Sequence, residues 1–96
     1  MMQSQYYVYI LTNNYNRVLY TGVTNNILRR LQEHKSGRGS IFTSKYRAHK
    51  LVYLATFDKN LDASAFEKKL KAGSRQKKLD LINEMNPEWR DLITDY

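Results

Sequence analysis

Two β-rich runs with an asparagine-rich gap between them constrain this chain more than any other feature. Gln5–Thr12 is dense in aromatic and β-branched residues and predicts a strand. Asn13–Asn16 holds three asparagines, a turn composition, and Val18–Val23 reads as a second strand. Strands joined by so short a gap pair antiparallel, as a hairpin. Thr24 or Asn25 can then N-cap a helix that runs to about Lys35, with Ile27, Leu28 and Leu31 as its apolar stripe. Ser36–Ser40, with two glycines, ends that helix and begins a loop. Leu51–Phe57 alternates poorly but is rich in Leu, Val, Tyr and Phe, which suits a central or well-covered third strand. Asp62 can cap a second helix over Ala63–Ala72, with Ala63, Phe66 and Leu70 inward and Gly73 at its end. Ser74 can cap a third, to about Met85, with Leu79, Ile82 and Met85 inward. Asn86-Pro87 stops it, and Trp89, Leu92 and Ile93 are expected to pack back onto the core. The order β-β-α-β-α-α predicts an α+β fold, a small three-stranded antiparallel sheet flanked by helices, as one domain over residues 1–96.

Composition excludes several classes of function. The 96 residues contain no Cys, so disulfide scaffolds, thiolate catalysis and Cys-based metal sites are ruled out. Two histidines, His34 and His49, cannot close a structural zinc site. No apolar run approaches the roughly 20 residues of a membrane span. Tyr6–Leu11 is too short for a signal-peptide core and follows no Lys or Arg, so a soluble cytoplasmic protein is expected. Charge is more informative. Residues 79–96 hold five acids and one base, whereas residues 1–78 hold fifteen bases and four acids, a net of +11. A body that basic fits a polyanion, most simply nucleic acid, although a high isoelectric point alone would look the same.

Three sets of residues sit awkwardly in a purely structural account. At about 100° per residue from Ile27, Arg30 falls near 300° and His34 near 340°, on one edge of the apolar stripe. An Arg held where helix meets sheet, with a His one turn on, suits gripping a phosphate; it can also snorkel over the sheet edge. From Ala63, Glu67 falls near 40°, inside the inward arc of the second helix. A half-buried carboxylate there must be paired, with Lys71 or Arg30, or bind a metal. Tyr7 and Tyr9 share one strand face, and Tyr20 shares a face with Gly22, where a glycine permits close approach to the backbone. Core packing is the ordinary use of such tyrosines.

Together these residues resemble the GIY-YIG nuclease family. The first half-motif is Tyr7-Val8-Tyr9, with Tyr7 in the place of the first Gly, and the second is Tyr20-Thr21-Gly22. Ten residues separate Tyr9 from Tyr20, and Gly22 to Arg30 matches the family's spacing to its helix arginine. Arg29-Arg30-Leu31-Gln32-Glu33-His34, Arg75-Gln76-Lys77-Lys78 and Asn86-Pro87-Glu88-Trp89 extend the resemblance over the full chain. It is closest to the short, single-domain bacterial members, which are similar to the N-terminal domain of the excision-repair nuclease. No residue is assigned to the family's late asparagine.

The resemblance implies a metal-dependent endonuclease that hydrolyses phosphodiester bonds in DNA, in repair or recombination. Tyr9, Tyr20, Arg30, His34 and Glu67 would be catalytic. Glu67 would hold Mg²⁺ or another divalent cation such as Mn²⁺, and Arg30 would stabilise the charged transition state. One of the two tyrosines would be the general base, with His34 as relay or leaving-group partner. A tyrosine pKa near 10 would have to be lowered by Arg30, the metal or a protonated His34. All five residues are expected to line one open surface of the sheet. Arg38, Lys45, Arg47, Lys68, Lys69, Arg75, Lys77 and Lys78 are the expected phosphate contacts of a monomer that avoids membranes. The alternative is a non-catalytic or weakly catalytic nucleic-acid-binding domain, which explains the basic body equally well but not the joint presence of the five site residues. An interaction domain without nucleic acid explains neither.

Overall fold

The computed structural model describes residues 5–95. The hairpin forms as expected, from β1 (Tyr6–Thr12) and β2 (Leu19–Thr24). Its turn is built by asparagines. The Asn16 N–H donates to the Asn13 carbonyl at 3.0 Å, and the Arg17 N–H donates to Asn13 Oδ1 at 2.9 Å. Asn16 takes a φ of 57°, which Asn tolerates better than most residues. β3 (Lys50–Phe57) pairs antiparallel with the other edge of β1, so the strand order is β2-β1-β3. The central strand is buried from Val8 to Thr12.

The poor alternation of β3 has a cause. Ile10 pairs with Tyr53 and Leu11 with Leu51, which leaves Val52 as an extra residue in a bulge. Leu51 and Leu54 therefore face Tyr9 and Leu11, while Val52 and Tyr53 both face the side of Ile10 and Ile82. Both faces of the sheet are covered, so neither half of β3 needs polar positions.

One face carries α1 (Ile27–Lys35), α2 (Ile41–Tyr46) and a C-terminal 3₁₀ turn (Leu92–Asp95). Ile27, Leu31, Ala48, Leu92 and Ile93 pack there against Tyr9 and Leu11. The other face carries α3 (Asn60–Ala72) and α4 (Arg75–Met85), whose Ala63, Phe66, Leu70, Leu81 and Ile82 pack against Val8 and Ile10. Trp89 packs on this second face, so the residues after Pro87 reach both sides of the sheet. Among the described residues no helix is long and apolar enough to cross a membrane.

Several local expectations are corrected. Asn26, not Thr24 or Asn25, caps α1, its Oδ1 accepting from the Arg29 N–H at 3.1 Å. Leu28 is 52% exposed, and the buried side chains of α1 are Ile27, Leu31 and His34. α3 begins at Asn60, ahead of Asp62, which sits in its first turn, where a negative charge suits the helix dipole. Ser74 caps α4 as expected, but Met85 is exposed and Leu81 packs inward instead. The stretch read as loop contains α2, a helix of six residues capped by Ser40 and ended by Arg47 at a φ of 53°.

Candidate active site

Tyr9 sits at the middle of the central strand, directly opposite Gly22. A β-carbon at residue 22 would collide with Cζ and Oη of the Tyr9 ring, so the ring lies across the glycine, toward the edge strand β2. The glycine is what gives a buried tyrosine this path for its hydroxyl.

Two side chains from α1 meet that hydroxyl. Arg30 Nε donates to Tyr9 Oη at 3.4 Å, and His34 Nε2 lies 2.9 Å from the same oxygen. The i,i+4 spacing read from the sequence is what stacks them. The Arg30 Nη1 also reaches Glu33 at 3.4 Å, a part-exposed pair. Tyr20, on β2, closes the cluster: its ring centroid is 6.3 Å from that of Tyr9 and 5.3 Å from the His34 ring, edge to face.

His34 is fully buried, and α2 holds its far side. Nδ1 lies 2.9 Å from Thr43 Oγ1, itself buried, and Thr43 Oγ1 donates to the Ser40 carbonyl at 3.3 Å. Arg30 Nε–H can only donate to Tyr9 Oη, so the phenol proton is directed at His34 Nε2 and the imidazole N–H sits on Nδ1, toward Thr43 Oγ1. A neutral imidazole has one N–H, which leaves Nε2 to accept the Tyr9 hydroxyl proton. Gly39 makes room for the ring, because a β-carbon there would collide with Nδ1. Gly39, Ser40 and Thr43 escaped the sequence analysis. The available signal was a Ser three residues before a Thr, a cap for the short helix that a Gly-Ser loop disguised.

The protonation states differ from those expected. The Tyr9 pKa is pushed up to about 12, chiefly by burial; the Arg30 hydrogen bond and charge pull it down, and Tyr20 and Glu67 push it further up. The His34 pKa is pulled down to about 4 by burial and then by the Arg30 charge. A tyrosine acidified by a protonated His34 is therefore not what the fold builds. It builds a neutral phenol hydrogen-bonded to a neutral imidazole.

Glu67 arrives differently. Glu67 comes from α3, which packs on the sheet face opposite the one that α1 covers. α3 crosses β1 and β2, however, and the carboxylate acts electrostatically on the Tyr9 hydroxyl near the edge strand. Its Oε2 pairs with Lys71 Nζ at 2.8 Å, one of the two pairings expected for a structural role; its side chain is 13% exposed and that of Lys71 54%. Among the described residues no three His, Asp or Glu side chains form a metal-binding group. A lone carboxylate does not hold a structural ion, but it suits Mg²⁺, which keeps most of its waters and takes further ligands from substrate phosphate.

The expected phosphate contacts divide between the two faces. Arg38, Lys45 and Arg47 lie on or beside α2, on the Tyr9 side. Lys68, Lys69, Arg75, Lys77 and Lys78 lie on α3 and α4. Arg75 is already engaged, its Nη2 donating to the Arg17 carbonyl at 2.8 Å across the hairpin turn. Asn86, within the Asn-Pro-x-Trp motif, is buried and structural: its Nδ2 donates to the Val52 and Arg90 carbonyls at 3.2 and 2.8 Å.

Comparison with known proteins gives consistent matches. Residues 5–80 match the model of the GIY-YIG catalytic domain. A UPF0213 protein of Syntrophus aciditrophicus is 45% identical over 86 residues, covering 88% of this chain and 97% of that one. A UPF0213 protein of Staphylococcus haemolyticus is 38% identical over 81 residues, covering 84% and 98%. The solution NMR structure of a UPF0213 protein from Bacillus halodurans superposes with a TM-score of 0.59 at 31% identity, covering 91% and 92% of the two chains.

Proposed function

The chain belongs to the GIY-YIG catalytic domain family, and from that membership we propose that it is a divalent-metal-dependent endonuclease hydrolysing phosphodiester bonds in DNA. One observation carries the proposal: a tyrosine hydroxyl held between an arginine and a neutral histidine, with the Lys71-paired carboxylate of Glu67 acting on the same hydroxyl. A core tyrosine needs one hydrogen-bond partner, and Tyr9 has two with opposite roles, a donor and an acceptor.

The chemistry follows from those roles. A water beside Tyr9 gives a proton to Oη as the Tyr9 proton passes to His34 Nε2. The hydroxide attacks phosphorus, and the bond to the leaving sugar oxygen breaks; that oxygen takes a proton from solvent. Tyr9 never has to persist as a phenolate, and His34, whose pKa of about 4 makes it a weak base, carries the proton only while the bond to the leaving oxygen breaks. His34 is the net acceptor, and Thr43 steadies the imidazolium through Nδ1–H. Arg30 meets the charge that grows on the phosphoryl oxygens, where removal of one such donor costs about 10²–10³ in rate. Tyr20 positions the water or the phosphate. Glu67 would hold the divalent ion, which supplies Lewis-acid neutralisation of the phosphate when bound.

The test is cleavage of branched, flapped and single-stranded DNA by the purified chain with Mg²⁺ and with EDTA. Cleavage that needs Mg²⁺ and is lost in Glu67→Ala is expected. Tight DNA binding with no cleavage of any substrate would favour the binding-domain alternative, which the basic body would then explain.

A further inference from the structure

α2 does more than hold His34. From Tyr20 an aromatic ladder leaves the site. The Phe42 ring stacks on Tyr20 at a centroid distance of 6.0 Å and an interplanar angle of 29°. Tyr46 packs on Phe42 at 4.8 Å, and Lys45 Nζ lies 5.4 Å from the Tyr46 centroid. The inner end of this ladder is covered and the outer end is not: Phe42 is 37% exposed, Tyr46 42% and Ile41 89%. The only buried side chain of α2 is Thr43, so three large apolar side chains on six residues are left to solvent at a cost that folding does not require.

The charges around them define the occupant. Residues 35–57 contain Lys35, Arg38, Lys45, Arg47 and Lys50 and no acid. Exposed aromatics on a stretch of chain that carries cations and no acid fit a polyanion that also offers flat apolar faces, which is the description of a nucleic acid with unstacked bases. Duplex DNA does not fit, because each base face is already covered by its neighbours and exposing one costs a few kcal/mol. We infer that Phe42 and Tyr46 form a stacking platform for unpaired bases flanking the scissile phosphate, with Lys45 and Arg47 on the adjoining phosphates. The substrate class is then a strand that is single or locally unpaired at the cut. The inference rests on the nuclease reading for the word scissile, but its test does not.

Binding is measured by fluorescence anisotropy on Glu67→Gln protein without divalent metal, so that no strand is cut. The probes are a labelled oligothymidylate and a labelled blunt duplex of equal length. Phe42→Ala and Tyr46→Ala should each weaken oligothymidylate binding about tenfold, the usual scale of one lost base stack, and change duplex binding by less than about twofold. Phe42→Trp should retain single-strand affinity, which separates stacking from a generic disturbance of α2. Circular dichroism and melting curves show that each variant is folded. Equal losses on both probes, or none on either in folded protein, would overturn the inference. So would self-association of the Phe42 protein that Phe42→Ala abolishes, since the patch would then belong to a second copy. Failure of the nuclease reading looks different: wild-type chain with Mg²⁺ cuts nothing, whatever the anisotropy contrast shows.

Discussion

The proposed mechanism needs Tyr9 to be buried and reactive at once, and its neighbours can reconcile the two. Burial alone would make it an inert core phenol, as it does for most tyrosines. In that mechanism Arg30 and His34, both in contact with its hydroxyl, give its proton somewhere to move. Both were visible in the sequence, because an i,i+4 pair on the edge of an apolar stripe is a local pattern. Their protonation was not, because burial depends on what α2 and the opposing strands bring. A consequence is a pH-dependent stability. The folded His34 pKa, about 4, lies below the unfolded value of about 6.5. Between those values the unfolded chain binds the proton and the folded chain does not, so stability falls as pH falls from about 6.5 to 4. The loss should reach at most roughly 3 kcal/mol, and His34→Gln should flatten that part of the curve of denaturation midpoint against pH. Gly22 offers a second check. Gly22→Ala drives a methyl into the Tyr9 ring, which should cost about 1–3 kcal/mol of stability in urea unfolding and displace the hydroxyl from Arg30.

Among the elements, β3 and α2 show what local pattern can and cannot carry. The irregular alternation of β3 signalled burial, and the bulge at Val52 added a break in register that no propensity encodes. α2 was hidden because a six-residue helix offers too little periodicity to separate from loop, and its one inward side chain, Thr43, is polar. That threonine is also the best test of the element's purpose. Thr43→Val leaves His34 Nδ1–H buried without an acceptor, which should cost about 1–3 kcal/mol and free the ring to change tautomer. Thr43→Ser should restore both melting temperature and the pH profile of cleavage. If Thr43 only packs, Val should be as good as Thr by both measures. The end of α2 carries a separate cost, since Arg47 holds a φ of 53°, a left-handed conformation that L side chains adopt at a penalty. Arg47→Gly should raise stability by up to about 1 kcal/mol while weakening nucleic-acid binding, a trade that melting and anisotropy measure on the same variant.

The whole molecule is a covered three-stranded sheet with the Tyr9 ring reaching toward one edge strand. Helices on opposite faces act on the one hydroxyl: α1 supplies Arg30 and His34 directly, and α3 supplies the field of Glu67. A helical wheel placed each residue beside its own apolar stripe, but it could not tell which face of the sheet each helix would cover. The cationic surface is likewise split between the faces, so a substrate held at Tyr9 should use the α2 cations first. Affinity should fall steeply with salt, with a slope set by the phosphates neutralised. Arg38→Ala, Lys45→Ala and Arg47→Ala should each reduce that slope by about one unit, and Lys68→Ala and Lys69→Ala by less. The central claim is that Glu67 and Arg30 serve chemistry and not the fold. Single-turnover cleavage and melting of Glu67→Ala and Arg30→Ala test it most directly. Each residue makes a part-exposed ion pair worth about 1 kcal/mol or less, so both variants should melt close to the wild type. Cleavage should vanish in the first and slow by at least about a hundredfold in the second. A folded Glu67→Ala chain that cuts DNA at the wild-type rate would contradict the account.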